Sequence, residues 1–226
     1  DEGGFTNVDM VSSNQGSMIT GYKNPGISWV WFIGHGAPDR WAIPSWHMSN
    51  MPNLTYGTKS PNIIAINCAN NDLGWGNSFG EEYMKRSTSN APSNYFGFTE
   101  NCAFYTTDNL GRAMLYAYFR HDLCNMGLMM NYGKITAYQY FNGNQTVQET
   151  NNQAMLLGDP SQISWSDIPK NLDVVYSVEV GNSSLINVKY TTSNINGALI
   201  GVSQGGQLKA SGYTNSNGDF IIAAGI

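Results

Sequence analysis

Apolar positions follow two regimes along the chain. Up to about residue 165 they form uninterrupted runs and helical stripes; beyond Pro169 they alternate with polar ones. Ile27–Ile33 and Ile63–Ile66 are dense in β-branched and aromatic residues with little alternation, the pattern of strands covered on both faces, as in a parallel sheet between helices. Pro38, Pro44 and Pro52 rule out a long helix between them. A third short strand is predicted at Tyr95–Thr99, after a loop at Ser87–Ser93. Phe79, Tyr83 and Met84 share a face of a helix over Asn77–Arg86, capped by Ser78 or Asn77. Leu110, Met114, Leu115, Tyr118 and Phe119 mark a longer helix with Asp108 as its cap. Met126–Phe141 reads as helical, although Gly127 and Gly133 weigh against it, and its methionine stripe belongs to the core. Residues 153–165 return to the sheet. Residues 1–26 are polar and Gly-rich, with a short helix near Ser17–Tyr22. In the second regime Val174–Val180, Leu185–Thr191, Ala198–Ser203 and Phe220–Ala224 are short alternating strands. The turns between them, Gly181-Asn182, Asn196-Gly197, Gly205-Gly206 and Asn217-Gly218, are those of an all-β sandwich. The expected fold is therefore α/β over residues 1–168, with a parallel sheet and helices on both faces, followed by a small all-β domain over 171–226.

The two buried runs each stop at a residue that can do chemistry. The first ends at Gly34-His35-Gly36, the second at Cys68. Ligands of parallel sheets bind at the carboxyl ends of the strands, so an imidazole and a thiol leaving neighbouring strands there are placed to meet. A thiol becomes a strong nucleophile only as the thiolate, and an imidazole can take or stabilise that proton exchange. Glycines on both sides of His35 allow close backbone approach. The N–H groups of Gly36 and Cys68 are then candidates for an oxyanion hole. Singly, a strand-end cysteine is an ordinary small hydrophobe and a lone histidine an ordinary turn residue; only the pairing favours a site.

Composition narrows the function classes. Charged residues make up 12% of the 226, and 16 acidic against 11 basic side chains leave a net charge of −5. No phosphate-binding face follows from that balance, which argues against nucleic acid as a partner. No apolar run approaches the ~18 residues of a membrane helix. Low charge, a surface rich in Asn, Ser, Thr and Gly, and the sequons at Asn53, Asn144 and Asn182 lean toward a secreted or cell-surface protein. The opening DEGG, without Met, reads as a processed piece. With Cys68 kept free as a nucleophile, Cys102 and Cys124 are left to bridge or to stay reduced; both remain open. His47 and His121 lack zinc-ligand spacing. Asp72, Glu81, Glu82 and Asp159 allow a structural calcium ion or serve as plain caps, and no cofactor is otherwise required. Asp219 is a turn residue.

Taken in order, G34-H35-G36 with Trp41, NCANNDL at 67–73, SFGEEYMKR at 78–86, Phe98-Thr99-Glu100-Asn101 and the LGDPS at 157–161 resemble the gingipain-like cysteine peptidases, peptidase family C25 of the caspase-like clan. His35 and Cys68 stand 33 residues apart, a spacing that matches the family's, and the resemblance covers roughly residues 16–165. It implies a caspase-like fold followed by an immunoglobulin-like module. It also implies an endopeptidase acting on a protein or peptide substrate through a Cys68 thioester, with His35 as base and then acid. In the lysine-cleaving members a loop runs through aromatics to an aspartate that pairs with the basic side chain before the cut. Aligned on Cys68, Phe104 and Tyr105 fall on those aromatics and Asp108 at or beside the acid, which implies cleavage after basic residues; a helix cap accounts for Asp108 equally well.

Two departures from the family matter. The family places several strands, and an acid that orients the imidazole, before its histidine, and residues 1–26 are too short to hold them. The expectation is that the missing part is a separate chain, or that this chain is a non-catalytic structural or adhesive module that kept the fold. The all-β part is also short: 55 residues follow Asn171, against the ~100 of an immunoglobulin domain.

Overall fold

Residues Asn62–Ile66 are buried at every position, and the chain folds around them. The computed structural model describes residues 27–43, 45–54, 60–86, 91–164, 171–177, 184–190 and 192–222. The expected helix at Ser17–Tyr22, the loop at 87–90 and parts of the sequons at Asn53 and Asn182 lie outside them. The chain divides into two units, Asp1–Asp167 and Ile168–Ile226.

In chain order, the first unit opens with β1 (Trp29–Ile33). A three-stranded hairpin sheet follows, made of β2 (Gly36–Ala37), β3 (Arg40–Trp41) and β4 (Trp46–His47). A 3₁₀ turn over Met48–Asn53, with Pro52 inside it, leads on toward β5 (Asn62–Ile66). A short 3₁₀ turn at Leu73–Trp75 precedes α1 (Phe79–Met84), and β6 (Asn94–Phe98) follows. Three helices then come in succession: α2 (Phe104–His121), α3 (Met126–Tyr140) and α4 (Gln145–Gln153). They end at β7 (Ala154–Gly158). The main sheet has the order β1-β5-β6-β7. β1 and β5 are parallel, as are β5 and β6. β7 runs antiparallel along β6, from Phe98↔Ala154 to Asn94↔Gly158, so the parallel sheet expected from the sequence carries an antiparallel edge.

The strand period of two sorts β5 into two cores. Ile64 and Ile66 join Phe96, Phe98, Leu110, Met114, Met126 and Met129 on one face. Ile63 and Ala65 join Trp41, Trp46, Phe79, Tyr83 and Tyr95 on the other. This is why the run lacks alternation: both faces are covered. The methionine stripe is core, as its periodicity indicates. The two glycines that weighed against α3 are there for contact. A Cβ on Gly133 would come within 2.8 Å of the Leu110 carbonyl and of Met114 on α2, so the helices cross at backbone distance and the ~1 kcal/mol helix penalty of glycine is offset by packing.

Two local expectations change. Asp108 is no cap: α2 begins a full turn earlier, with Ala103 at the N-cap. A helix at Gln145–Gln153 went unread because its residues are almost all polar. Its start signal is nonetheless present, since Asn144 Oδ1 accepts the Val147 N–H at 3.0 Å, a standard N-cap bond.

The second unit contains β8 (Asp173–Ser177), β9 (Ser184–Tyr190), β10 (Ser193–Asn194), β11 (Leu199–Gln204), β12 (Gln207–Tyr213) and β13 (Asp219–Ile222). β9 pairs antiparallel with β8, β10 and β13, and β11 with β12 forms a hairpin. The strand β12 was not expected, because QLKASGY carries little apolar signal. Asp219 holds the β13 start by accepting from the Asn187 amide at 2.7 Å, a cross-strand role beyond a simple turn.

Candidate active site

The register of β1 on β5 pairs Ile33 with Ile66, and the Gly34 N–H donates to the Ile66 carbonyl at 3.2 Å. His35 and Cys68 therefore each leave the sheet two residues past a matched pair, at the carboxyl edge. Gly36 lies against the cysteine loop: a Cβ there would sit 2.6 Å from the Cys68 carbonyl oxygen and from the Asn67 amide. No side chain fits, so the glycine is what lets the histidine hairpin close on Cys68. The hairpin pairs Gly36 with Trp41 and Ala37 with Arg40, and the Ala42 N–H donates to His35 O at 2.8 Å. Antiparallel pairs alternate between bonded and non-bonded, so Gly36 falls in a non-bonded pair and its N–H faces away from β3. His35 is exposed and Cys68 half-buried. Among the described residues none bonds the His35 ring.

What locks this edge is Asn70, which the sequence reading did not single out. It is fully buried. Its amide donates to the carbonyls of Ala37 and Arg40, the latter at 2.9 Å, both in the histidine hairpin. Its Oδ1 accepts from the Asn67 amide and from the Tyr95 hydroxyl (3.1 Å). That hydroxyl in turn accepts the Trp41 indole N–H at 3.1 Å. Burial pushes the Tyr95 phenol far above its ordinary range, so it stays neutral and can donate. The first N–H groups of α1 take the carbonyls of Pro38 (from Phe79, 2.6 Å) and Asn70 (from Gly80, 2.8 Å), which satisfies the helix terminus and holds both loops. The only sequence signal for this network is the polar tract N67-C68-A69-N70-N71 directly after a buried strand.

Ala69, next to the sulfur, has φ of +55°, a left-handed conformation that costs an L-residue roughly 1–2 kcal/mol. It is held by its N–H bond to the Glu100 carbonyl at 3.0 Å. Ala69→Gly should keep activity and change stability by no more than about 0.5 kcal/mol, since relieved strain offsets the extra unfolded-state entropy. Ala69→Val should lose about 2 kcal/mol and much of the activity, because β-branching is least tolerated at positive φ. Thermal melts of the two variants decide this; equal melting temperatures would show that the turn is not strained.

Beside Cys68 a cleft of about 350 Å³ is lined by Pro38, Ala69, Asp72, Trp75, Glu100 and Asn101. Phe104 and Tyr105 are exposed at the start of α2, with Tyr105 edge-on to Phe141 at 5.5 Å. Asp108, one turn on, gives one oxygen to the Arg112 guanidinium at 2.7 Å, and its other oxygen is buried without a partner.

All three cysteines are free. Cys102 and Cys124 are not bridged; Cys102 Sγ lies 4.0 Å from Cys68 Sγ and 3.5 Å from the Asn67 carbonyl. Burial, and then the neighbouring Cys68, push the Cys102 thiol up to about 12. Cys124 sits at the α2–α3 connection, its thiol donating to the Asp122 carbonyl at 3.5 Å.

The carboxylates considered for calcium each have a local partner. Asp72 accepts the Gly74 N–H (2.9 Å), Glu81 the Ser78 N–H (3.0 Å), and Asp159 both the N–H and hydroxyl of Ser161. Glu82 pairs with Arg86. The Ser78 N–H is the main cause holding Glu81 below the ordinary carboxylate range. No group of three or more His, Cys, Asp or Glu side chains converges on a metal position among the described residues. Nor, among them, is any helix long and apolar enough to cross a membrane.

Solved structures similar to this chain include the Arg-specific cysteine proteinase gingipain R (RgpB), with TM-score 0.79 and 18% identity, covering 95% of this chain and 50% of that one. A complex of Porphyromonas gingivalis RgpB pro- and mature domains gives the same score and identity over 95% and 51%. A third, a protease, has TM-score 0.71 and 21% identity over 90% and 49%. The chain thus spans about half the length of these structures. No curated protein matches it. The model of peptidase family C25 matches residues 4–162, and the chain belongs to that family.

Proposed function

We propose that this chain carries the nucleophile and base of a secreted or cell-surface cysteine endopeptidase, with Cys68 attacking the scissile carbonyl and His35 moving its proton. The observation that carries the reading is the Ile33↔Ile66 register, which delivers both residues to one sheet edge with the Gly36 backbone packed on the Cys68 carbonyl.

The chemistry follows in sequence. His35 takes the Cys68 proton, and the thiolate adds to the carbonyl carbon. The Gly36 and Cys68 N–H groups hold the developing oxyanion. His35, now protonated, gives its proton to the leaving amine, and the thioester remains. Water, deprotonated by the same ring, releases the acid and restores the thiol. The segment flanking the scissile bond lies along the cleft, where Asp72 and Glu100 favour cationic side chains and Trp75 offers an aromatic face to their stems. Asp108 pairs with Arg112 through one oxygen, and its other oxygen, buried without a partner, is the one a basic side chain would meet. The group that orients the His35 ring would come from the rest of the family's peptidase domain, in a longer protein or a separate chain.

The test is labelling with a peptidyl electrophile bearing Lys or Arg at the reactive end. One modified cysteine, Cys68, is expected, with faster labelling than by an uncharged or acidic counterpart. Absence of Cys68 labelling, in the presence of the remaining domain, would favour a non-catalytic structural module instead.

A further inference from the structure

The second thiol at the site has no task in peptide hydrolysis. Cys102 Sγ lies 4.0 Å from Cys68 Sγ, and both residues are half-buried rather than sealed. Their backbones are tied: Ala69 N–H donates to the Glu100 carbonyl and Asn71 N–H to Phe98, both at 3.0 Å. The two bonds run the segments antiparallel, with Cys68 beside Asn101 and next to Cys102. Cys102 is one residue out of register with Cys68, opposite Asn67, and the measure of their approach is the 4.0 Å between the two sulfurs. A disulfide needs the sulfurs about 2 Å closer, a gap of side-chain scale between segments already tied by backbone bonds. Cys124 is occupied elsewhere, at the far end of α2.

We propose that Cys68 and Cys102 form a dithiol modification site that low-molecular-weight disulfides, of the glutathione type, convert reversibly into an intramolecular disulfide. The Cys68 thiolate attacks one sulfur of the small disulfide, forming a mixed disulfide and releasing one thiolate. Cys102 then attacks Cys68 Sγ and loses its proton, and the second small thiolate leaves and takes that proton. Two protein thiols are oxidised and one small disulfide is reduced to two thiols. The order follows from environment: the Cys102 thiol, held protonated by its burial, is the slower partner and enters second. That the bond also stops peptide hydrolysis rests on the reading of Cys68 as nucleophile; its formation does not.

The experiment exposes the folded protein to excess oxidised glutathione, blocks remaining thiols and maps peptides by mass. The expected result is one peptide pair joined through Cys68 and Cys102, a fall from three free thiols to one, and full reversal by dithiothreitol. Cys124→Ala should give the same bridge. Cys102→Ala, and Cys102→Ser should the first fail to fold, should instead trap Cys68 as a stable glutathione mixed disulfide. A wild-type protein in which Cys68 stays as the mixed disulfide, or in which the bridge includes Cys124, would overturn the proposal. The readout is mass, so a Cys68→Ala variant that still cleaved peptides would remove the peptidase reading and leave this result standing.

Discussion

Cys68→Ala abolishes peptide cleavage while the protein melts within a few degrees of the wild type. The expected loss in kcat/KM is about 10⁴-fold or more, since removing the nucleophile of a coupled pair forfeits nearly the whole chemical contribution. The stability change stays within about 1 kcal/mol, because the half-buried thiol fills little core volume. His35→Ala loses a comparable factor: an exposed ring with no described partner contributes little to folding, so its loss acts on the chemistry. Equality of the two defects, and of the double variant with either single one, is the signature of residues acting as a unit. The measurement is peptide turnover in the assembled peptidase beside a thermal melt of each variant. Turnover left intact in either single variant refutes the dyad.

Asn70→Ala should be the most damaging substitution among residues that never touch substrate. It removes the second hydrogen bond of the Ala37 and Arg40 carbonyls and leaves the buried Tyr95 hydroxyl and Asn67 amide without their acceptor. Each buried group left unsatisfied costs about 1–3 kcal/mol, and with partial relaxation the loss is about 3 kcal/mol. The same change frees the hairpin that holds His35, and a shift of about 1 Å in a catalytic group costs around 10²-fold in rate. The fall should lie in kcat, with KM little changed. Asn70→Asp is the informative companion: it keeps shape and acceptor but presents a carboxylate to two carbonyls, so it should not rescue. Alkylation of Cys68 by iodoacetamide should remain in Asn70→Ala, separating a misplaced hairpin from a lost thiol. If kcat holds while the melting temperature drops, Asn70 supports the fold alone and has no positioning role.

Much of the architecture is legible in the chain because burial on both faces writes itself as unbroken apolar runs. Asn62–Ile66 is a strand for that reason; Trp29–Ile33 is an edge strand of the described sheet in which only Phe32 is buried, so its apolar run overstated its cover, and the stripes of α1, α2 and α3 follow from helical period against a covered sheet. His35 and Cys68 are legible too, since each ends such a run beside glycine or in a family-like motif. Polar elements were not. The helix at Gln145–Gln153 and the strand at Gln207–Tyr213 have little apolar signal, so only their neighbours place them, and β7 reveals its antiparallel direction only through its pairing with β6. The start of α2 a turn before Asp108 was hidden because helix propensity marks an interior better than an end. At the site, the sequence by itself determined which residues can do chemistry and that two of them leave strands of one sheet. Tertiary structure decided the rest. Asn70 became the clamp, and Cys102 came to lie beside Cys68 rather than Cys124. Arg112 occupied Asp108, and the four carboxylates dispersed to separate caps and pairs. Each of these depends on distances between segments far apart in the chain, and neither hydrophobic period nor residue type encodes such distances.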